Sequence, residues 1–350
     1  VLSSAEFKNL FGATPPEGKS NIGTAWEYAN NLLLLGFPVL FKRVTESFDG
    51  TPLVQKAKVD INITSDTDTS RKIGEVEAKY GGTYGNTLNF SIDITDNTYY
   101  FKVYSNNTML EIIRIASVPA GAAPEQRSQL LLNGMKNLKP RNVVVTITDE
   151  TDFDLQEISR QYLTGGQDAD ESTVRDTIQY LFEELKDKLM YNIKFVTSGG
   201  YTDTSSSTIL IAQAMINLAE TRGDCIAIPD IPINLPEDEV TTFFENLNTS
   251  YAAAYAPWAL VRLMDPRIEK WMPPSYVFLS TLARSVANGN PIYLPPAGVK
   301  RAQLTNVVTT EYPISSAILE EWQSNNPQSI NPLMKIYNYG YVIYGQHTLY

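Results

Sequence analysis

"NIKFVTSGGYTDTSSSTILIAQAMINLAETRGDCIAIPD" occupies residues 192–230. It opens on NIKFVT (192–197), a short apolar run of strand character. STILIAQAMINLAETRG (207–223) then has the apolar content of a helix, ended by Gly223. CIAIPD (225–230) is a second short strand. Strand, helix, strand in this order is a βαβ unit, and its crossover makes the two strands parallel neighbours covered by a helix.

The connection TSGGYTDTSSST (197–208) follows a strand and precedes a helix, where a phosphate could sit. It has no lysine to meet one, so it is read as a plain βα connection. Neither GxxxxGK[ST] nor a GxGxxG opening a βαβ unit occurs, and no GxSxG elbow presents a serine.

The same grammar extends outward. VRDTIQYLFEELKDKL (174–189) places Val174, Ile178, Leu181, Phe182, Leu185 and Leu189 on one helical face, with Ser172 or Thr173 as cap. Downstream come a helix in EDEVTTFFENLN (237–248), a strand in WALVRLM (258–264) and a helix within WMPPSYVFLSTLARSVANGNPIYLPPAGVK (271–300). Two proline pairs bracket that last helix, and Pro274 fits its first turn, where a missing N–H is harmless. Near the start, TAWEYANNLLLLGFPVLFKRV (24–44) is a helix with Trp26, Ala29 and Leu33 on one face. It stops at Gly36, and Val39–Phe41 then has strand character.

Between these parts the pattern changes. AKVDINIT (57–64), TLNFSIDIT (87–95), TYYFKVYS (98–105) and NVVVTITD (142–149) alternate apolar and polar residues, the period of strands with one buried face. KYGGTYGN (79–86) supplies glycines for tight turns. The expected fold class is therefore mixed α/β (α+β), multi-domain, with a mixed sheet covered by helices. Residues 1–47 and 149–350 are expected to form a discontinuous α/β core domain, and 48–148 a β-rich domain, inserted or flanking.

Composition narrows the function. The chain has 350 residues and a formal net charge of −11, with no basic run interleaved with aromatics, so nucleic acid is not an expected partner. Apolar runs such as NLLLLGFPVLF (31–41) fall short of the ~20 residues that span a bilayer, and no membrane is expected as partner. The one cysteine, Cys225, allows no intrachain disulfide, and with the one histidine, His347, it removes the common zinc sites. Cys225 is read as a small buried hydrophobe. His347 lies three residues from the end of the sequence, a poor place to scaffold a general base.

Asp168, Asp170 and Glu171 in TGGQDADEST (164–173) could touch calcium, but the oxygens of an EF-hand loop are missing. A Gly-rich turn whose acidic residues favour the N-terminus of the next helix accounts for them. No catalytic, cofactor-binding or metal residues are assigned. The 20 tyrosines suit either protein contact or half-buried core positions, and composition does not choose.

SYAAAYAPWALVRLMDP (250–266), WMPPSYVFLSTLAR (271–284) and IYLPPAGVKRAQL (292–304) resemble, in order and spacing, contractile phage tail sheath proteins. The positions that match are Tyr255, Pro257, Trp258, Asp265, Pro266, Pro273, Pro274, Ser275, Arg284, Pro296, Ala297 and Gly298, with Gly345 and Thr348 near the end. FKNLFG (7–12), LLLLGFPVLFKRV (32–44), YGGTYGNTLNFSI (80–92), YLTGGQDADEST (162–173), RGDCIAIPDIP (222–232) and NPLMKIYNYGYVIYGQHTL (331–349) extend the likeness along most of the chain. Tyr276 stands where the family has glycine, and Tyr344–Thr348 departs from its WGxRT, which leaves the local turn geometry open.

The resemblance implies a structural, non-enzymatic subunit that polymerises helically around a tail tube and contracts to drive it through the host envelope for genome ejection. Its implied partners are other sheath subunits, the tube protein and the baseplate. Its implied place is the virion, after synthesis in the host cytoplasm, with phiKZ-like giant phages as one source. The family's terminal arms are not found in these residues, so the chain is expected to be a sheath core that stays monomeric in dilute solution, at 39.0 kDa. The alternative is a virion-associated α/β hydrolase with paired carboxylates.

Overall fold

The structure, a computed structural model, describes residues 1–12, 23–47, 49–64, 70–151, 153–204, 209–324 and 328–350. Residues 205–208 of the βα connection, and the expected start of its helix, lie outside them. By internal contact the chain divides into two units, Val1–Arg43 with Val174–Tyr350, and Val44–Thr173. The architecture is mixed α/β, several sheets interspersed with helices.

The first unit begins with α1 (Ser4–Phe11) and α2 (Ala25–Leu34). Thr24 and Glu27 form a reciprocal cap on α2, which satisfies two backbone donors that a helix start otherwise leaves orphaned. Gly36, at φ 76°, turns the chain away after the helix. Val39–Phe41 is not a strand. Among the described residues Val39 exchanges backbone hydrogen bonds only with Val1, too little for a ladder, while Phe41 packs with Phe7 and Phe11.

The second unit holds β1 (Lys58–Thr64), β2 (Ser70–Ala78), β3 (Leu88–Thr95), β4 (Thr98–Ser105), β5 (Thr108–Ser117), α3 (Pro124–Lys136), β6 (Val143–Ile147) and β7 (Ile158–Tyr162). Two antiparallel sheets form, in the orders β1-β2-β6 and β5-β4-β3-β7. Asp96 and Asn97 both take positive φ in the two-residue turn between β3 and β4, as a turn that follows the sheet's twist requires. Alternation buries Tyr99, Phe101 and Val103, with Phe90 stacked on Phe101 at 5.4 Å between centroids. Each such fully buried side chain stabilises the unit by about 1.5–3 kcal/mol relative to exposure.

Sequence patterning missed two features of this unit. Leu131 and Met135 of α3 join its core, and the clue was Pro124 at the first helical turn, followed by Glu125. Residues beyond 148 also belong here rather than to the α/β core. β7 pairs with β3, and Lys58 and Gln55 bridge to Thr164 and Gln167, so backbone pairing carries the unit to Thr173.

α4 (Glu171–Leu181) leads on to β8 (Phe195–Val196), α5 (Leu210–Arg222), β9 (Ile226–Ala227) and α6 (Val240–Phe243). Asp170, not Ser172 or Thr173, caps α4, accepting from the backbone N–H groups of both. The helix also stops before Leu189, which is 98% exposed. The carbonyls of Leu185 and Tyr191 are instead taken by the guanidinium of buried Arg222, at 2.6 and 2.7 Å. β10 (Tyr255–Ala256), β11 (Ala259–Arg262), β12 (Glu269–Met272), α7 (Pro274–Ala287), α8 (Gly298–Arg301), β13 (Val307–Thr310), α9 (Ser316–Gln323), β14 (Asn331–Ile336) and β15 (Gly340–Ile343) follow.

β8 and β9 are parallel, the expected βαβ pair, and the parallel bridge Ala227–Ala252 continues the pairing to the chain that enters β10. β10 is parallel to β14, and β15 closes antiparallel on β14. β11 separately takes β12 and β13 as antiparallel neighbours. The AAAYA run at 252–256 is buried on both faces. Ala252, Ala254 and Ala256 face a core with Met215 and Ile216 of α5 and Phe243 of α6. Ala253 and Tyr255 face another, with Tyr28 of α2 and Tyr276 and Phe278 of α7. This is a helix–sheet–helix sandwich, and alanines let both helix layers approach the central strand.

Candidate functional site

The chemistry that a hydrolase would need is carboxylate chemistry, and among the described residues of the first unit four carboxylates, Asp230, Asp203, Glu311 and Glu27, are held away from solvent. Each has both oxygens engaged by the fold. Asp230, just beyond β9, accepts from the Ser275 N–H at 2.8 Å and from the Ser275 hydroxyl at 2.6 Å. Asp203 accepts from the N–H groups of Ile211 and Ala212, both at 3.0 Å, and so caps α5. Half-buried Glu311 accepts from Asn234 N–H at 2.7 Å and Trp258 N–H at 3.1 Å, joining three separate segments. Buried Glu27 accepts from Thr24 N–H at 2.8 Å through one oxygen and pairs with Lys270 at 2.8 Å through the other.

Asp230 is the most perturbed of these. Its burial pushes the carboxyl up to about 7, an increase that the two Ser275 hydrogen bonds partly offset. Burial also raises Asp203 and Glu311 against the pull of their N–H donors. A carboxyl near 7 is what a general acid wants. This one is 4% exposed, however, and its neighbours complete an internal network. The Tyr28 hydroxyl donates to Ser275 Oγ at 2.9 Å and lies 3.2 Å from Thr197 Oγ1. Burial raises Tyr28 well above the usual phenol range, so it stays a donor. The network therefore ties α2, the end of β8 and the first turn of α7 together. Held in this way, Asp230 is a fastening.

The positions matched by the sheath resemblance are spread through the first unit. Tyr255 is buried and stacks on Phe278 at 4.6 Å. Pro257 and Pro266 each follow a cis peptide bond. Trp258 is buried and donates its indole N–H to Ile231 C=O at 2.8 Å. Asp265 sits in the loop between β11 and β12 and pairs with Lys8. Asn31 holds the same loop, accepting from Met264 and Asp265 N–H and donating to Asp265 C=O. Pro273 and Pro274 open α7, and Ser275 is the hub just described. Arg284, in the last turn of α7, is half-buried, and burial lowers its guanidinium. Pro296 is buried, Ala297 caps α8, and Gly298 takes φ 72°. Gly345, at φ 136°, lies against Asn331, where a Cβ would stand 2.9 Å from that side chain's oxygen. Thr348 is half-buried beside buried Leu349.

Tyr255, Pro273, Pro274 and Ser275 come together around α7, and Trp258 meets the Glu311 bracket. Arg284, Pro296–Gly298 and Gly345–Thr348 take no part in the Asp230 network. Sequence reasoning missed Asp230, Glu311 and Asn31. Their partners lie 45, 53 and 77, and 233 and 234 positions away, so no local pattern announced them.

The other residues weighed in the sequence take no part in the Asp230 network. Cys225 is buried among apolar side chains, and burial pushes its thiol up. The His347 side chain is exposed, while its N–H and C=O are both held by Asn331, at 2.7 and 2.8 Å. Asp168 accepts from Thr83 N–H at 3.2 Å, and Asp170 caps α4. Among the described residues no group of three or more His, Cys, Asp or Glu could hold a metal ion, and no helix is long and apolar enough to cross a membrane.

No protein-family model and no curated protein matches the sequence. Among solved structures, the chain is similar to the sheath tail protein of Listeria innocua, with 12% identity, a TM-score of 0.59 and coverage of 98% of this chain and 63% of that one. It is also similar to the sheath tail protein of Desulfitobacterium hafniense, with 11% identity, a TM-score of 0.54 and coverage of 93% and 62%. The chain thus spans a little under two thirds of the length of either protein. At such identities the likeness is one of fold, and it includes both units: the chain carries the fold of sheath tail proteins.

Proposed function

We propose that this chain is the body of a contractile-tail sheath subunit. In this reading its natural gene product polymerises helically around a tail tube, seats on a baseplate, and shortens to drive the tube through a host envelope for genome ejection. It belongs to the virion, is made in the host cytoplasm, and fits the phiKZ-like giant phages. The observation that carries the reading is the similarity of fold over 98% of the chain to a sheath tail protein. The carboxylate brackets support it. A block that must slide and rotate without deforming needs its loops fastened internally, and here the buried acids do that. The residues of the family pattern, Tyr255 through Thr348, then serve as structure. The energy of contraction is stored at assembly, in a kinetically trapped polymer, so no nucleotide is consumed.

Negative-stain electron microscopy of the natural gene product tests this directly. Rods or hollow tubes are the expected result. Dispersed particles at every concentration, or a hydrolytic activity abolished by changing one carboxylate, would overturn it. The 350-residue chain itself should run as a monomer of 39.0 kDa at low micromolar concentration.

A further inference from the structure

The loop between β11 and β12 is held unusually well for a surface hairpin. Asn31 makes three hydrogen bonds to its backbone at 2.8–3.1 Å, Asn30 reaches the Asp265 carboxylate at 3.1 Å, and Lys8 pairs with that same carboxylate. None of these bonds uses the loop's outward side chains. Met264 is 43% and Ile268 40% exposed, and Arg267 is exposed with no ion-pair partner among the described residues. With Arg262, Leu263 and Glu269 they line an open groove of about 690 Å³. Two arginines against one glutamate make it locally positive on a chain of net charge −11.

Methionine and arginine on a fixed backbone are what a contact surface favours, because little ordering entropy remains to be lost on binding. The same unit carries a complementary feature. Glu237, Asp238 and Glu239 form a short acidic turn before α6, and the side chains of Asp238 and Glu239 are exposed, without ion-pair partners among the described residues. Glu321 stands beside that turn, because its carboxylate accepts from Thr241 at 3.1 Å and Trp322 donates to Glu237 C=O.

We propose that the groove around Arg267 receives the acidic turn Glu237–Glu239 of a second copy of this chain, in a head-to-tail contact. Donor and acceptor surfaces differ, so the contact can repeat from copy to copy. This rests on the reading of the chain as an assembly subunit and names one contact that such a subunit would make. The groove is small and screened by salt, so the contact is weak at low micromolar concentration and populated only near millimolar.

Sedimentation velocity on this chain, from 10 µM to about 1 mM at low and high salt, tests it. The wild type should show a mass that rises with concentration and falls back in high salt. Arg267→Glu alone, and Asp238→Lys with Glu239→Lys alone, should each weaken association at least about tenfold with unchanged tryptophan fluorescence. An equimolar mixture of the two variants should regain salt-sensitive association. A wild type that stays at one chain's mass throughout, variants that associate like the wild type, or a mixture that regains nothing would each overturn the proposal. Rods that form equally well with Arg267→Glu would leave the sheath reading standing and refute only this contact.

Discussion

Replacing Asp230 with asparagine should flatten the pH dependence of the first unit's stability. The folded carboxyl, raised to about 7 by burial, binds its proton more tightly than the unfolded one, whose ordinary value is 3.8. Its contribution is therefore fully present below the ordinary value and is lost as pH rises through about 7. At about 1.4 kcal/mol per pH unit the whole interval amounts to ~4 kcal/mol. Part of this is gone by pH 5, where the unfolded carboxyl is already ionised. Between pH 5 and 8 the remaining change is about 2.5 kcal/mol. Asparagine keeps an acceptor for the Ser275 N–H and offers a donor to its hydroxyl, without a proton to exchange.

The assay is urea denaturation read by tryptophan fluorescence. All four tryptophans, Trp26, Trp258, Trp271 and Trp322, lie in the first unit, so the signal reports that unit. With a slope of ~2–3 kcal/mol per molar urea, the wild-type midpoint should fall about 1 M further than the variant's between pH 5 and 8. Asp203 and Glu311 are also raised and leave a smaller slope of the same sign in both proteins. Asp265, lowered by its hydrogen bond from Lys8, acts the opposite way but only at acid pH, outside this window. Parallel midpoint curves for the two proteins would refute the assignment of Asp230 as a buried, titrating fastening.

Other substitutions probe the packing. Arg222→Leu removes a fully buried guanidinium that holds Asp224 and the carbonyls of Leu185 and Tyr191, and should cost roughly 2–4 kcal/mol in the same fluorescence assay. Ala254→Leu forces volume into a fully buried position of the central strand and should cost ~1–3 kcal/mol or more; a neutral result would mean that the sandwich has slack there. Gly85→Ala puts a Cβ 2.8 Å from that of Ala57, in the second unit. It should destabilise that unit by ~1–3 kcal/mol, read as a lower thermal midpoint by circular dichroism, while the tryptophan transition stays put.

Local signals settled a good part of this protein in advance. The period of two in TYYFKVYS, Gly36 after one apolar helix, and Gly223 after another each act within a few residues, so the sequence alone specifies those elements. The βαβ order also implied a parallel pair, because a crossover helix leaves no other economical geometry. What stayed hidden depends on which distant groups meet. The alanine run 252–256 has no period to read, because both of its faces are buried, and only the packed helices show that it is a central strand. VLF at 39–41 has strand composition but among the described residues pairs only with Val1, and Leu189 continues a helical stripe that Arg222 cuts short. The acids are the clearest case. An aspartate in a sequence carries no mark of whether it will meet solvent, substrate or a backbone N–H. Burial against Ser275, a residue 45 positions away, made Asp230 a fastening, and only tertiary structure could bring that about.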